Sequence, residues 1–315
     1  MGAATDTGIL LVNLGTPEAP TAAAVREYLA EFLGDRRVVK IPRIIWLPIL
    51  YGFILRTRPA QSAEKYRSVW TDEGSPLKVH TVRQAKLLRG LLGPGGARVE
   101  YAMRYGKPRI ADAIAALREA GCTRIVALPL YPQFSESTTE SVRDVLGAGV
   151  RMIEDFHAHP AYIGALAAVV RRYWEYHERG EKLVMSFHGL PQKVVDAGDP
   201  YQKQCLETAR LLAARLDLDA DRYLVTFQSR FGRAQWLQPY TEPTLVKLAR
   251  SGLREVDVFC PGFVSDCLET LEELGIGARE AFLGAGGRMF RLIPCLNESD
   301  DWIRAMRSIV EGRAD

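Results

Sequence analysis

Nowhere in its 315 residues does the sequence hold an apolar run of the roughly 20 positions that a membrane-crossing helix needs. The longest candidate, IIWLPILYGFIL at 44–55, is twelve uncharged positions interrupted by Pro48. Cysteine is sparse. Cys122, Cys205, Cys260, Cys267 and Cys295 are dispersed with no C-x-x-C pair, a usage that fits a reducing compartment better than a disulfide framework. An excess of one charge is missing too: 41 Lys and Arg stand against 38 Asp and Glu, a net +3, and no basic block resembles a nucleic-acid arm. Nucleic acid is therefore excluded as an expected partner. No G-x-G-x-x-G, Walker loop or G-x-S-x-G stands in a supporting context, and Gly284-Ala285-Gly286-Gly287 comes late, without a phosphate lysine behind it. Nucleotide chemistry is disfavoured. The start, Met1 to Asp6, is small and acidic, and the first apolar run, Gly8–Leu14, is too short for a signal peptide, so a cytoplasmic location is expected.

What is present is an ordinary globular balance, 47% apolar and 25% charged, in a chain long enough for a large core or two domains. Short β-rich runs alternate with helical patterns. Strands are expected at Ile9–Leu14, Val99–Met103, Arg124–Leu128, Lys182–Phe187, Tyr223–Phe227 and Glu255–Phe259. Helical patterns lie between them, as at Ile110–Ala120, Tyr162–His177, Gln202–Arg215 and Pro243–Arg250. Such alternation predicts a doubly wound α/β architecture with a mostly parallel sheet.

The second half repeats the first in order. ILLVNL running into Gly15-Thr16-Pro17 is matched by LVMSF running into His188-Gly189-Leu190-Pro191. MRYGKP (103–108) echoes QSRFGR (228–233), and LREAGCTRIVALP (117–129) echoes LARSGLREVDVFCP (248–261). Ser135–Thr139 and Ser265–Glu269 then each open a helix. Gly15 and Gly106 lie 91 residues apart and Gly189 and Gly232 only 43, which leaves about 48 extra residues in the first half, where the apolar segment falls. Two similar halves around a central cleft are expected, with ligands beyond the carboxyl ends of the strands.

His188 closes a strand whose counterpart ends in the apolar Leu14, so the fold does not call for a histidine there. It is followed by a glycine that permits close approach of a ligand. Asp266, Cys267 and Glu269 form an acidic addition that the first half lacks. They read either as a capping box or as chemistry, and Glu272 and Glu273 continue the acidic face. His157 and His159 have ligand-like spacing but no third partner nearby, and read as a polar strand edge. Tyr105, Tyr131, Phe263, Trp236, Phe134, Arg104, Arg230 and Arg233 near strand ends describe a slot with apolar walls and basic rims, suited to a flat acidic ligand. Segment 44–55, collared by Arg36, Arg37, Lys40, Arg43, Arg56 and Arg58, reads as a buried helix or as an exposed apolar lip.

The runs VNLGTPEAP (12–20), RYGKP (104–108), LPLYPQFSESTT (128–139), SFHGLP (186–191), QSRFGRAQWLQPYT (228–241) and CPGFVSDCLETLEEL (260–274) closely resemble those of bacterial ferrochelatases. The resemblance covers residues 8 to about 310 and implies two Rossmann-like halves around a porphyrin cleft. It implies that His188 and Glu269 are the iron-site pair and that Asp266 is a second acidic residue of that site. Leu14, Arg104, Tyr105, Tyr131, Trp236 and Phe263 match positions lining the porphyrin. Ser75, Arg58 and Tyr66 match positions near its propionates, and 44–55 matches a lip over the cleft. Cys267 stands where some relatives have histidine. Some members carry a [2Fe–2S] cluster on a cysteine-rich C-terminal extension; with Cys295 the only cysteine after Cys267, none is expected here.

The expected organisation is then an N-terminal α/β half over 1–150 with the lip inserted at about 35–75. A C-terminal half over 151–315 carries the iron-site residues, with the final helix packing back on the body. The expected activity is insertion of Fe2+ into protoporphyrin IX to give protohaem with loss of two protons. Coproporphyrin or another tetrapyrrole as substrate, or a non-catalytic porphyrin or haem carrier, are the alternatives. Iron is substrate rather than cofactor, no cofactor is required, and a monomer with transient membrane-surface contact through 44–55 is expected.

Overall fold

A computed structural model describes residues 6–232 and 234–312. The chain divides into two compact units, one of residues 1–131 and 135–155, the other of 132–134 and 156–315.

The first unit runs β1 (Thr7–Gly15), α1 (Ala22–Gly34), α2 (Arg43–Ile49), a π-helical stretch (Leu50–Ile54), α3 (Leu55–Val69) and α4 (Pro76–Leu92). It continues through β2 (Arg98–Tyr105), α5 (Ile110–Glu119), β3 (Arg124–Pro129), a π-helical turn (Glu136–Glu140), α6 (Ser141–Leu146) and β4 (Val150–Met152). Its sheet is all parallel, in the order β2-β1-β3-β4. Both central strands are near-continuous apolar runs because helices cover a parallel sheet on its faces. Leu10, Val12, Ala127, Ile114 and Leu117 pack together in its core. At the strand ends the backbones crowd: a Cβ on Gly15 would lie 1.7 Å from the Tyr105 carbonyl oxygen, and Gly15 has φ +113°. Only glycine closes β1 against β2 in this way.

The second unit runs α7 (Pro160–Tyr176), β5 (Lys182–His188), α8 (Gln192–Asp196), α9 (Tyr201–Arg215), β6 (Tyr223–Gln228), α10 (Thr241–Arg250) and β7 (Glu255–Phe259). A ten-residue π-helix (Glu269–Ala278), α11 (Arg279–Gly284), β8 (Met289–Leu292) and α12 (Asp300–Glu311) complete it. Its parallel sheet has the order β6-β5-β7-β8, the same winding as the first. Helix α12 packs on α7 through Trp302, which lies 5.7 Å from Phe156 and 6.0 Å from Tyr162 between ring centroids. Aromatic pairs of this kind add about 0.5–1.5 kcal/mol each beyond their buried area.

The registers make the repeat concrete. Asn13 pairs with Met103 as Phe187 pairs with Phe227, and Ile9 pairs with Val126 as Leu183 pairs with Asp257. These pairings set Leu14 against His188 and Arg104 against Gln228. They also correct one echo. Met103 N–H bonds to the Pro108 carbonyl and Phe227 N–H to that of Pro239, each proline following a cis peptide. The counterpart of Pro108 is thus Pro239, and the second unit carries a longer loop after β6, holding Trp236. Between β1 and β2 lie four α-helices and a π stretch, where β5 and β6 are joined by α8 and α9 alone.

Candidate active site

In the second unit, β5 and β6 deliver His188 and Gln228 to one edge as register partners. His188 is half-buried, and its Nδ1 lies 2.7 Å from the Gly189 carbonyl oxygen. A carbonyl can only accept, so that contact holds the proton on Nδ1 and leaves the lone pair on Nε2. Gly189 donates its N–H to the Gln228 carbonyl at 2.7 Å, and a Cβ there would lie 2.7 Å from that oxygen and 3.3 Å from the Trp236 ring. Trp236 thus stands beside the His188–Gly189 turn, its indole N–H given to the Phe231 carbonyl at 2.8 Å. Arg230 lies over the Tyr240 ring at 4.9 Å, and Arg233 lies outside the described residues.

Gln228 is buried, and its side-chain N–H reaches the Glu269 carbonyl oxygen at 2.7 Å. Glu269 opens the long π-helix. π-Helices rarely exceed one turn and concentrate at functional sites. Ser229, at φ +65°, gives Glu273 both its N–H at 2.7 Å and its hydroxyl at 2.5 Å. The Cys267 thiol beside Glu269 is pushed well up by burial and then by the Glu269 charge, so it stays protonated.

Asp266 is buried and its carboxylate is committed to structure. Oδ1 accepts Thr270 at 2.9 Å, and Oδ2 accepts Asn297 at 2.6 Å and the Cys295 N–H at 3.3 Å. Its own N–H goes to Asn297. The reciprocal bond of a capping box from Glu269 to that N–H is therefore not made. Phe263 is half-buried against the core of this unit. His157 and His159 follow β4 rather than lying in a strand, and His159 caps α7 through Nδ1. Among the described residues no group of three or more His, Cys, Asp or Glu could hold a metal ion.

In the first unit, Arg104 and Tyr105 converge on two residues without a sequence signal. Arg104 bonds to Asp35 Oδ2 at 2.6 Å and to the Ser141 carbonyl and hydroxyl at 2.8 and 2.7 Å. The Tyr105 hydroxyl donates to Asp35 at 2.8 Å, and burial pushes that phenol far up. The ion pair is largely shielded, with side chains 13% and 10% exposed. Tyr131 is half-buried against the core of this unit, and its hydroxyl is buried without a hydrogen-bond partner. Leu14 is half-buried, Tyr66 and Ser75 are buried, and Arg58 is exposed on α3. Ser75, at the start of α4, accepts the Thr16 hydroxyl at 2.7 Å.

The segment around 44–55 has two apolar faces. Trp46, Leu50 and Ile54 cluster inward with Leu29 and Leu33 of α1, whereas Ile44 is 86% and Phe53 63% exposed, with Ile45, Ile49 and Tyr51 beside them. Both sequence readings hold, one for each face. Within the collar, Arg37 is paired with Asp144 and Lys40 with Glu136. No helix among the described residues is long and apolar enough to cross a membrane.

A family model described as Ferrochelatase matches residues 6–314. The chain belongs to the ferrochelatase family. It is 58% identical to the ferrochelatase of Aromatoleum aromaticum over 98% of this chain and 87% of that protein. It is 57% identical to the ferrochelatase of Azoarcus sp. over 99% and 89%. As a member of the ferrochelatase family it is a metal chelatase of haem synthesis, placing iron in a porphyrin. Among solved structures, SirB from Bacillus subtilis with Fe3+ has a TM-score of 0.54 at 11% identity, covering 99% of both chains. DR2241 from Deinococcus radiodurans, described as similar to chelatases with two additional domains, has a TM-score of 0.57 at 14% identity over 98% of this chain and 56% of that one. At these identities the likeness concerns the fold alone.

Proposed function

We propose that the chain inserts Fe2+ into protoporphyrin IX, with His188 and Glu269 as the groups that meet iron and the pyrrole protons. The observation carrying this is the single edge of the second sheet where Gln228 ties the His188 turn to the first residue of the π-helix. An imidazole with its proton parked on Nδ1 offers Nε2 either to a pyrrole proton or to Fe2+, and carboxylate and imidazole both suit that ion. Metallation requires the ring nitrogens to turn their lone pairs out of the macrocycle plane, so a rigid slot that favours a ruckled ring spends binding energy on the transition state. Trp236 and Phe263 supply apolar surface in the second unit, and Leu14 and Tyr131 in the first. Arg104, Tyr105, Tyr66, Ser75 and Arg58 are the first unit's polar porphyrin positions that the family resemblance implies. Asp266 anchors the start of the π-helix. No resident cofactor or cluster is proposed, and the protein acts as a monomer in the cytoplasm.

The exposed face of 44–55 supports a greasy porphyrin over one bearing many carboxylates, and a membrane surface as the place where it is met. Anaerobic turnover with Fe2+, followed by loss of free-porphyrin fluorescence, tests the substrate: protoporphyrin IX is expected to be consumed faster than coproporphyrin. The reverse order, or turnover of neither, would overturn the substrate assignment. Replacing both Ile44 and Phe53 with Ser is expected to weaken sedimentation with anionic vesicles about tenfold or more, since each large side chain brings roughly 1.5–3 kcal/mol on burial. The apparent KM for protoporphyrin should rise with it. An unchanged KM would exclude entry over this face.

A further inference from the structure

Each unit uses the same strand position for the same task. Arg104, the penultimate residue of β2, sends its Nε–H to the Ser141 carbonyl at 2.8 Å, where the π turn after β3 passes into α6. Gln228, at the equivalent register position of β6, sends its Nε2–H to the Glu269 carbonyl at 2.7 Å, where the π-helix after β7 begins. In both units a side-chain donor at the end of the second strand holds the helix that follows the third. In the second unit that helix carries Glu269.

Gln228 is held from every side. Its Oε1 accepts the Ser186 hydroxyl at 2.7 Å and the Cys260 thiol at 3.8 Å, and Ser186 is bonded onward to Thr241 at 2.8 Å and Thr241 to Thr226 at 2.9 Å. Because the Glu269 carbonyl can only accept, the amide must turn its N–H toward Glu269, which leaves Oε1 to take the Ser186 hydroxyl and the Cys260 thiol. Its main-chain carbonyl meanwhile takes the N–H of Gly189, next to the imidazole. One buried residue therefore touches both sides of the candidate iron site through backbone groups, without presenting a polar atom to a ligand.

We propose that Gln228 is a positioning residue for metallation, setting the separation between the His188 imidazole and the Glu269 carboxylate. The proposal rests on the assignment of those two groups. A catalytic pair must be held to within about 0.5 Å, and a displacement of roughly 1 Å can cost about a hundredfold in rate. Gln228→Leu keeps the volume and removes the donor. The wild-type and variant proteins would be compared for anaerobic metallation, protoporphyrin binding by fluorescence quenching, and thermal midpoint. A fall in kcat of about ten- to a hundredfold with porphyrin affinity retained is expected. Turnover within about twofold of wild type would overturn it.

Gln228→Glu separates positioning from mere folding. The new carboxyl would take the place of an amide that meets the Glu269 carbonyl, the Ser186 hydroxyl and the Cys260 thiol. Burial favours its protonated form, whose O–H can donate to the Glu269 carbonyl as the amide does. The ratio of variant to wild-type kcat should therefore rise as pH falls from about 8.5 to about 6. A flat ratio, with kcat and porphyrin affinity falling together, would mean that Gln228 serves only the fold. His188→Ala measured alongside keeps the two failures apart: an active His188→Ala overturns the site, whereas an inactive one beside an active Gln228→Leu overturns only the role of Gln228.

Discussion

Exchange of His188 for Ala is expected to lower kcat for metallation about 10³-fold, or about 4 kcal/mol, while porphyrin affinity stays within about threefold of wild type. The split follows from what the side chain does. Its Nδ1 is engaged with the Gly189 carbonyl, so it contributes one lone pair, on Nε2. Trp236 and Phe263, which offer apolar surface, stay in place. The measurement is anaerobic loss of free-porphyrin fluorescence, beside a quenching titration without iron. A variant keeping more than about a tenth of wild-type turnover would sink the assignment of His188 as proton acceptor or iron ligand.

Asp35→Ala is expected to destabilise the protein by about 3–5 kcal/mol, read as a fall in the urea midpoint. Asp35 Oδ2 accepts from Arg104, Tyr105 and Ser141, and Oδ1 accepts the Arg37 N–H. Removing it leaves the Arg104 guanidinium, 13% exposed, with the neutral Ser141 groups alone. An uncompensated charge is the costly outcome, whereas the intact pair adds little over a well-packed apolar substitute. Asp35→Asn keeps an acceptor and should lose less. A midpoint change worth under about 0.5 kcal/mol for Asp35→Ala would show that water reaches the guanidinium. Asp35 also caps α1 just ahead of the apolar segment, so the same variant should loosen the 36–55 region.

The sheets were legible because their signal is local. All six expected strands are present with no end more than two residues away, since buried parallel strands are apolar runs bounded by glycine and proline. β4 and β8 were missed: at three and four residues they are too short to show a pattern. The helix-glycine-strand echo of 117–129 and 248–261 holds in register, with Gly121 and Gly252 both at positive φ. The echo of MRYGKP in QSRFGR does not, because similar letters fell on either side of a loop of different length.

The polar scaffold of the site was not legible. Asp35 meets Arg104 across 69 positions, and Gln228 meets Glu269 across 41. No spacing within one sequence announces such pairs. Their only trace was the presence of amide and carboxylate at strand and helix ends, where solvent usually explains them. The resemblance named Arg104 and Tyr105 as porphyrin contacts, and the structure adds that their polar atoms are bound to Asp35 and Ser141.

The hydrogen bond from His188 Nδ1 to its neighbour's carbonyl has a stoichiometric consequence. Each turnover sheds two protons and admits one divalent ion, yet the bonded imidazole has a single electron pair to offer. That pair is exclusive: a nitrogen holding iron cannot receive a proton, and one that has received a proton cannot hold iron. On the role proposed for His188, the second proton, and whichever of the two visitors is not on the imidazole, goes to another acceptor, and the proposal gives that task to Glu269, which opens the helix tied to the same strand end.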